Sequence, residues 1–358
     1  MSHEGDALRG CLLGLAVGDA LGLPCENLSP RRAARLFPRL DRHQFVFRRG
    51  LFSDDTEHAC LTGQALLRSG GDPAAFTRDL ARRLRWWALG LPAGAGRATL
   101  RACVRLWLGR SPDRSGVYSA GNGPAMRAPL LGVSLGHDRD RLIAFVRGST
   151  RLTHTDPKAE CGALAVAWAA HLSAGSRGGP PPDAGAYCAD VQGLVGAVPA
   201  AAKLLAALDR CADALRRGKT TEEFAADLGL ARGVSGYMYH TVPVAVYAWL
   251  RHPDEFRTAV QSAVRCGGDT DSVAAVAGGL VGARVGRAGI PAPWLAGVID
   301  WPRSVRWIEA LADRLAEGTW RTTPQRAHRL AVWALPARNA AFFGCVIVHV
   351  ARRLLPPY

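Results

Sequence analysis

Glycine recurs at four-residue intervals in two widely separated apolar stretches: Gly14, Gly18 and Gly22 near the start, Gly278, Gly282 and Gly286 near the end. On a helix such positions share one face. Each interior helix glycine costs about 1 kcal/mol relative to alanine. The spacing is therefore either a by-product of a glycine-rich composition or the mark of two core helices approached closely by neighbouring backbone. On the second reading the late helix also fixes whatever stands at its start. Helical periodicity dominates elsewhere too, in "PAAFTRDLARRLRWWALG", "AECGALAVAWAAHLSAG", "AAAKLLAALDRCADALRRG", "VPVAVYAWLRHPDEFRTAVQSAV" and "SVRWIEALADRLAEG". No pair of alternating runs flanks a hairpin turn; short β elements near Phe45–Phe47 are the one opening for extended structure. The loop "GSRGGPPPDAG" (175–185) is the one clear interruption.

The start of the late helix reads "CGGDTDSVAAVAGG", from Cys266 to Gly279, and "FSDDTEHACLTGQALL", from Phe52 to Leu67, has the same shape. Each puts two carboxylates and a hydroxyl at the mouth of an apolar helix: Ser53, Asp54 and Asp55 in one, Asp269, Asp271 and Ser272 in the other. One such motif is an ordinary helix cap. Capping needs a single oxygen, however, and here the surplus occurs twice. Hard divalent cations take oxygen ligands, and adjacent acids on a first helical turn point apart, so two metals about 3.5–4 Å from each other fit such a set. If the two motifs share a site, the halves on either side of the 175–185 loop form one domain.

Three further elements stand between or beside them. Glu26 follows "LGLP", where Pro24 stops a helix and leaves the acid on a loop. Gly121-Asn122-Gly123 can offer backbone N–H groups to a phosphate. His154 precedes a buried-looking helix in "RLTHTDPKAECGA". Singly, these are a solvated acid, a turn and a structural histidine.

Together, in this order, the five elements resemble the ADP-ribosylglycohydrolase family, which includes the glycohydrolase that activates dinitrogenase reductase and the ADP-ribosylarginine and ADP-ribosylserine hydrolases. The likeness runs through "GCLLGLAVGDALGLPCE", "FSDDTEHA", "GNGPAMRAPLLG", "THTDPKAECGALAVA", "GYMYHTVPVAVYAWL" and "CGGDTDSVAAVAGGLVGA", about residues 7–300. It implies an all-α fold: a single compact domain of orthogonally packed helices over 1–310, with 311–358 a helical extension packed on the core. It implies two Mg²⁺ or Mn²⁺ ions at the helix N-termini, held by Ser53, Asp54, Asp55, Asp269, Asp271 and Ser272. Serine stands at 53 and 272 where many members have threonine, so the hydroxyl is kept. Glu26 takes the family's mobile acidic position. Gly121, Asn122, Gly123 and His154 match diphosphate and ribose contacts, and Tyr237 lies in the segment that meets the adenosine end. The reaction implied is hydrolysis at C1′ of an ADP-ribosylated substrate, with Glu26, Asp54 and Asp55 as the carboxylates nearest the chemistry. The favoured substrate is a modified protein side chain. An ADP-ribosylated nucleic acid or small metabolite is the alternative, and a non-catalytic ADP-ribose reader conflicts with a complete ligand set.

The remaining composition bounds the setting. The formal charge is +15, yet only Lys158, Lys203 and Lys219 are lysine, and the arginines are spread along the chain. That reads as base composition more than as a nucleic-acid face. Nine cysteines without a Cys-x-x-Cys pair read as core residues in a reducing compartment. "MSHEGDALRG" has acids where a signal peptide needs a basic start, so the expectation is cytoplasmic. The apolar tail "AAFFGCVIVHVA" (340–351) falls short of the about 20 residues a membrane span needs. It reads as a buried helix, with a membrane-surface role as the alternative. Nothing in the sequence fixes the oligomeric state.

Overall fold

A computed structural model describes residues 3–354 apart from 46, 91 and 93, and among these it holds eighteen α-helices. Extended backbone among the described residues is limited to isolated bridges, one of them Gly50 with Val298. Among the described residues, no bridge involves Phe45 or Phe47.

The glycine spacing is a seam. The N-terminal helix, His3–Gly22, and the late glycine helix, Thr270–Gly289, run antiparallel with backbones in contact. A Cβ on Gly14 would lie 2.2 Å from the Gly278 carbonyl oxygen, and one on Gly18 2.1 Å from that of Ala274. At the end of the seam, a Cβ on Gly22 would stand 2.6 Å from Asp271 Cα. The face thus joins the end of one helix to the acidic start of the other. Gly286 departs from the expected stripe: at φ 68° it leaves the helical region and kinks the chain, a conformation that only glycine takes readily.

The helix Asp54–Ser69 and the helix Val305–Ala316 pack on the N-terminal helix. Residue 310 therefore lies inside a helix whose Ile308, Leu311, Ala312 and Leu315 are buried. The long apolar run 242–264 is two helices, Met238–Arg251 and Phe256–Arg265, because Pro253 cannot continue the first. All nine cysteines are free thiols.

The terminal helix, Leu335–Leu354, differs most from expectation. It is twenty residues long, and its apolar window is only 28% buried, so it is not a core helix. It reaches the body through a small separate cluster of Leu23, Phe45 and Phe342.

Candidate active site

Both acid–hydroxyl motifs open onto one cavity of about 700 Å³, whose wall includes Glu26, Asp54, Asp55, Asp269, Asp271 and Ser272. Each motif begins a helix for a local reason. Ser53 caps Asp54–Ser69 by accepting the Asp55 N–H at 3.3 Å. Asp269 precedes Thr270–Gly289 after Gly267 and Gly268, at φ 68° and 80°. A Cβ on Gly268 would lie 2.0 Å from the Val234 oxygen, so this turn tolerates only glycine.

Sequence reasoning missed Asp19. It lies within the N-terminal helix, wholly buried, and its carboxylate accepts from Ser53 N at 2.9 Å, Thr56 N at 3.0 Å and Thr56 Oγ1 at 2.6 Å. It thus serves as a second cap for the Asp54–Ser69 helix, delivered by the seam. Asp19, Asp55 and Asp271 can each offer an oxygen with all three atoms within 4.8 Å of one another. The tightest acidic group therefore takes Asp19, with Asp54 and Asp269 on the cavity wall around it.

The donor set fits a hard cation. Asp55 Oδ2 accepts from the hydroxyls of Ser53 (3.2 Å) and Ser272 (3.1 Å), while its Oδ1 is buried without a partner. An orphaned anionic oxygen in such a place is costly unless something binds it. Burial, followed by repulsion from neighbouring carboxylates, pushes Asp54, Asp55 and Asp271 well above the usual carboxylate range. Burial raises Asp19 to about 6 against its hydrogen bonds from Thr56 and Ser53. Ser53 stands one layer behind the cavity, and its hydroxyl orients Asp55.

Glu26 follows the turn Leu23–Cys25 on a loop, with its Oε1 3.0 Å from Asn27 Nδ2. Burial first and Asp269 second raise it to about 7. Its flanks are tied: Asn27 N donates to Gly268 O at 2.7 Å, and Arg353 Nη1 donates to the Glu26 carbonyl at 2.9 Å. Only the side chain is left to swing.

Gly121, Asn122, Gly123 and His154 line the same cavity. Asn122 is spent inside the protein: its amide donates to Asp269 Oδ2 at 2.6 Å and Thr241 Oγ1 at 3.0 Å, and its N–H to Gly236 O. It braces a carboxylate, and the loop's shape is what it presents to a ligand. Gly121 and Gly123 lie against the buried His154 ring, where a Cβ on either would come within 3.0 Å. Burial, then the Arg127 cation, lower His154 to about 3 and keep it neutral. Tyr237 turns its ring to Tyr239 and His240, and it is Gly236 beside it that lines the cavity. Two exposed arginines on the wall, Arg97 and Arg232, had no sequence signal beyond the general abundance of arginine.

The sequence profile of the ADP-ribosylglycohydrolase family matches residues 2–325. The glycohydrolase of ADP-ribosylated dinitrogen reductase from Rhodospirillum rubrum is 27% identical over 81% of this chain and 89% of its own. ADP-ribosylarginine hydrolase Tri1 of Serratia proteamaculans is 26% identical over 88% and 80%. A solved ADP-ribosylglycohydrolase-related protein complex superposes with a TM-score of 0.62 at 27% identity, covering 89% of this chain and 100% of that one. The terminal helix lies beyond the span that the profile matches.

Proposed function

Since the chain belongs to the ADP-ribosylglycohydrolase family and is an enzyme that hydrolyses ADP-ribosylated substrates, we propose that it cleaves the C1′ bond between ADP-ribose and a protein side chain, arginine first among them, at a two-metal site. The observation carrying the metal reading is the buried, partnerless Asp55 Oδ1 among mutually repelling carboxylates. Asp19, Asp54, Asp55, Asp269 and Asp271 would hold two Mg²⁺ or Mn²⁺ ions, whose chemistry when bound is to grip vicinal ribose hydroxyls and acidify a water. Ser53 and Ser272 fix Asp55, and Asn122 fixes Asp269. Glu26, raised to about 7, carries the proton to or from the reacting oxygen or leaving nitrogen. The ribose packs by Gly121, Gly123 and His154. The diphosphate lies towards Arg97 and Arg232, the cationic part of the wall. Support for arginine comes from relatives named for that linkage.

The test is release of free ADP-ribose from arginine-, serine- and nucleotide-linked substrates. The arginine-linked substrate should turn over fastest. Asp271→Asn keeps the shape and removes a charge; it should weaken Mg²⁺ binding and slow hydrolysis at least about tenfold. Full activity of that variant, or of the wild type in excess chelator, would remove the two-metal reading. A preference for the nucleotide-linked substrate would promote nucleic acid over protein.

A further inference from the structure

The terminal helix is built inside out. Its inward face carries the polar residues, beside one buried aromatic, Phe342. Arg338 donates to Asp300 and to the Phe52 carbonyl (2.7 Å), Asn339 to Gly90 O (2.7 Å), and Arg353 to Glu26 O; His349 Nε2 lies 3.0 Å from Pro24 O. Its outward face carries Phe343, Ile347, Val348, Val350 and Leu354, all exposed. An ordinary surface helix has the opposite arrangement. A contiguous apolar face of this kind marks a surface that something covers.

Charge says what. The helix contains no acid, and Arg352 is exposed at its end. Alongside it runs the segment 31–49, with seven arginines against the single acid Asp41. The two are joined where Phe37 and Phe45 meet His349. Between them lies a groove bordered by Arg42, Phe47, Arg48, Val348 and Arg352, with Phe47 97% exposed. Apolar side chains flanked by arginines and free of acids match the interface of an anionic bilayer. A second copy of the chain would bring two basic rims together, which repel. A span across the membrane would pull Arg338, Asn339 and Arg353 out of their bonds into hydrocarbon.

We propose that the outward face of helix Leu335–Leu354, with Phe47 and the adjoining arginines, docks the enzyme in the plane of an anionic lipid surface. The helix lies on that surface and does not cross it. It also holds the backbone carbonyls of Pro24, Glu26 and Phe52, so the docked face backs directly onto the loop and helix start of the active site.

The test is flotation of the full chain with vesicles of phosphatidylcholine alone or mixed equally with phosphatidylglycerol. The wild type should float with the mixed vesicles only, less as salt rises. The triple variant Phe343→Ser, Ile347→Ser, Val348→Ser should bind them at least about tenfold more weakly while releasing ADP-ribose from a soluble substrate at the wild-type rate. Absence of flotation with either vesicle overturns the proposal, as does equal binding to both or an unchanged triple variant. So does a dimer in sedimentation that the triple variant dissolves, since the face would then belong to a second copy.

Discussion

The N-terminal and terminal helices are twenty residues long, alike in mean hydropathy, and apolar enough to cross a membrane by length and composition. Yet 94% of one apolar window is buried and 28% of the other. The difference lies in where each puts its polarity and its small residues. The first has glycine wherever another backbone arrives and one buried acid, Asp19, placed at a helix start that needs it. The second aims its polar groups inward and leaves its bulk outside. Apolar content measures how much surface a helix would rather hide; the positions of the polar groups decide which side it hides.

Substituting the same residue in both helices tests this contrast most strongly. Gly14→Ala puts a Cβ 2.2 Å from the Gly278 carbonyl oxygen, a backbone atom, and 3.0 Å from the Phe256 ring. The helices must part, and we expect a loss of about 4 kcal/mol or more. At Gly344 in the terminal helix an added Cβ meets nothing within 4 Å. Gly344→Ala should stabilise the protein by about 0.5–1 kcal/mol, the helix preference of alanine over glycine. Urea unfolding of the two variants checks both signs. Similar mild effects would mean that the seam is loose.

The next comparison is within the terminal helix. Arg338 sits between two buried acids, 2.5 Å from Asp300 and 3.3 Å from Glu57, and Glu57 also pairs with Arg303 at 2.6 Å. Arg338→Met strands Asp300 and should cost about 3 kcal/mol. Val348→Ser, on the exposed face, should stay within about 0.5 kcal/mol. In most amphipathic helices the apolar substitution is the damaging one. Equal effects in thermal unfolding would show that the helix is not anchored by its polar side.

Much of the site was readable because it rests on local rules. Ser53, Asp54, Asp55, Asp269, Asp271 and Ser272 stand out as more oxygen than two helix caps require; all but Ser53 line one cavity, and Ser53 bonds to Asp55 behind it. Pro24 marks the end of a helix, and Glu26 is on the loop beyond it. Asp19 was not found because it occupies one place in an apolar run, with partners 34 and 37 positions away. A lone acid in such a helix was nevertheless a signal, since an unpaired buried carboxylate is too costly to keep. Asn122 lines the cavity, and its bond to Asp269 had no sequence signal because it spans 147 positions. The terminal helix was expected in the core on its apolar content; its inverted polarity depends on Asp300 and on the carbonyls of Pro24 and Phe52, which no helical period reveals.

The smallest expected effect separates the two helices by charge. At the end of the seam Asp19 is raised to about 6, Glu26 to about 7, and Asp54, Asp55 and Asp271 well above the usual carboxylate range, mainly by burial. In the unfolded chain these acids titrate near about 4. Between the two values the folded, metal-free protein binds more protons than the unfolded one, so its stability falls as pH rises. Buried neutral histidines such as His58 and His154 act oppositely, since their folded values are lowered, but that contribution is complete by about pH 7.5. From there to about pH 8.5 the acids dominate, and the Tm of the chelated enzyme should decline by a few degrees. Saturating Mg²⁺ should flatten the decline by binding the charged form, and Asp271→Asn should lessen it without metal. The acids beneath the terminal helix already face arginines, so Gly344→Ala should raise the curve without altering its slope. A Tm in chelator that holds level over this range would mean that the carboxylates at the seam's end share their charge with a partner, and the case for metal there would lose its electrostatic footing.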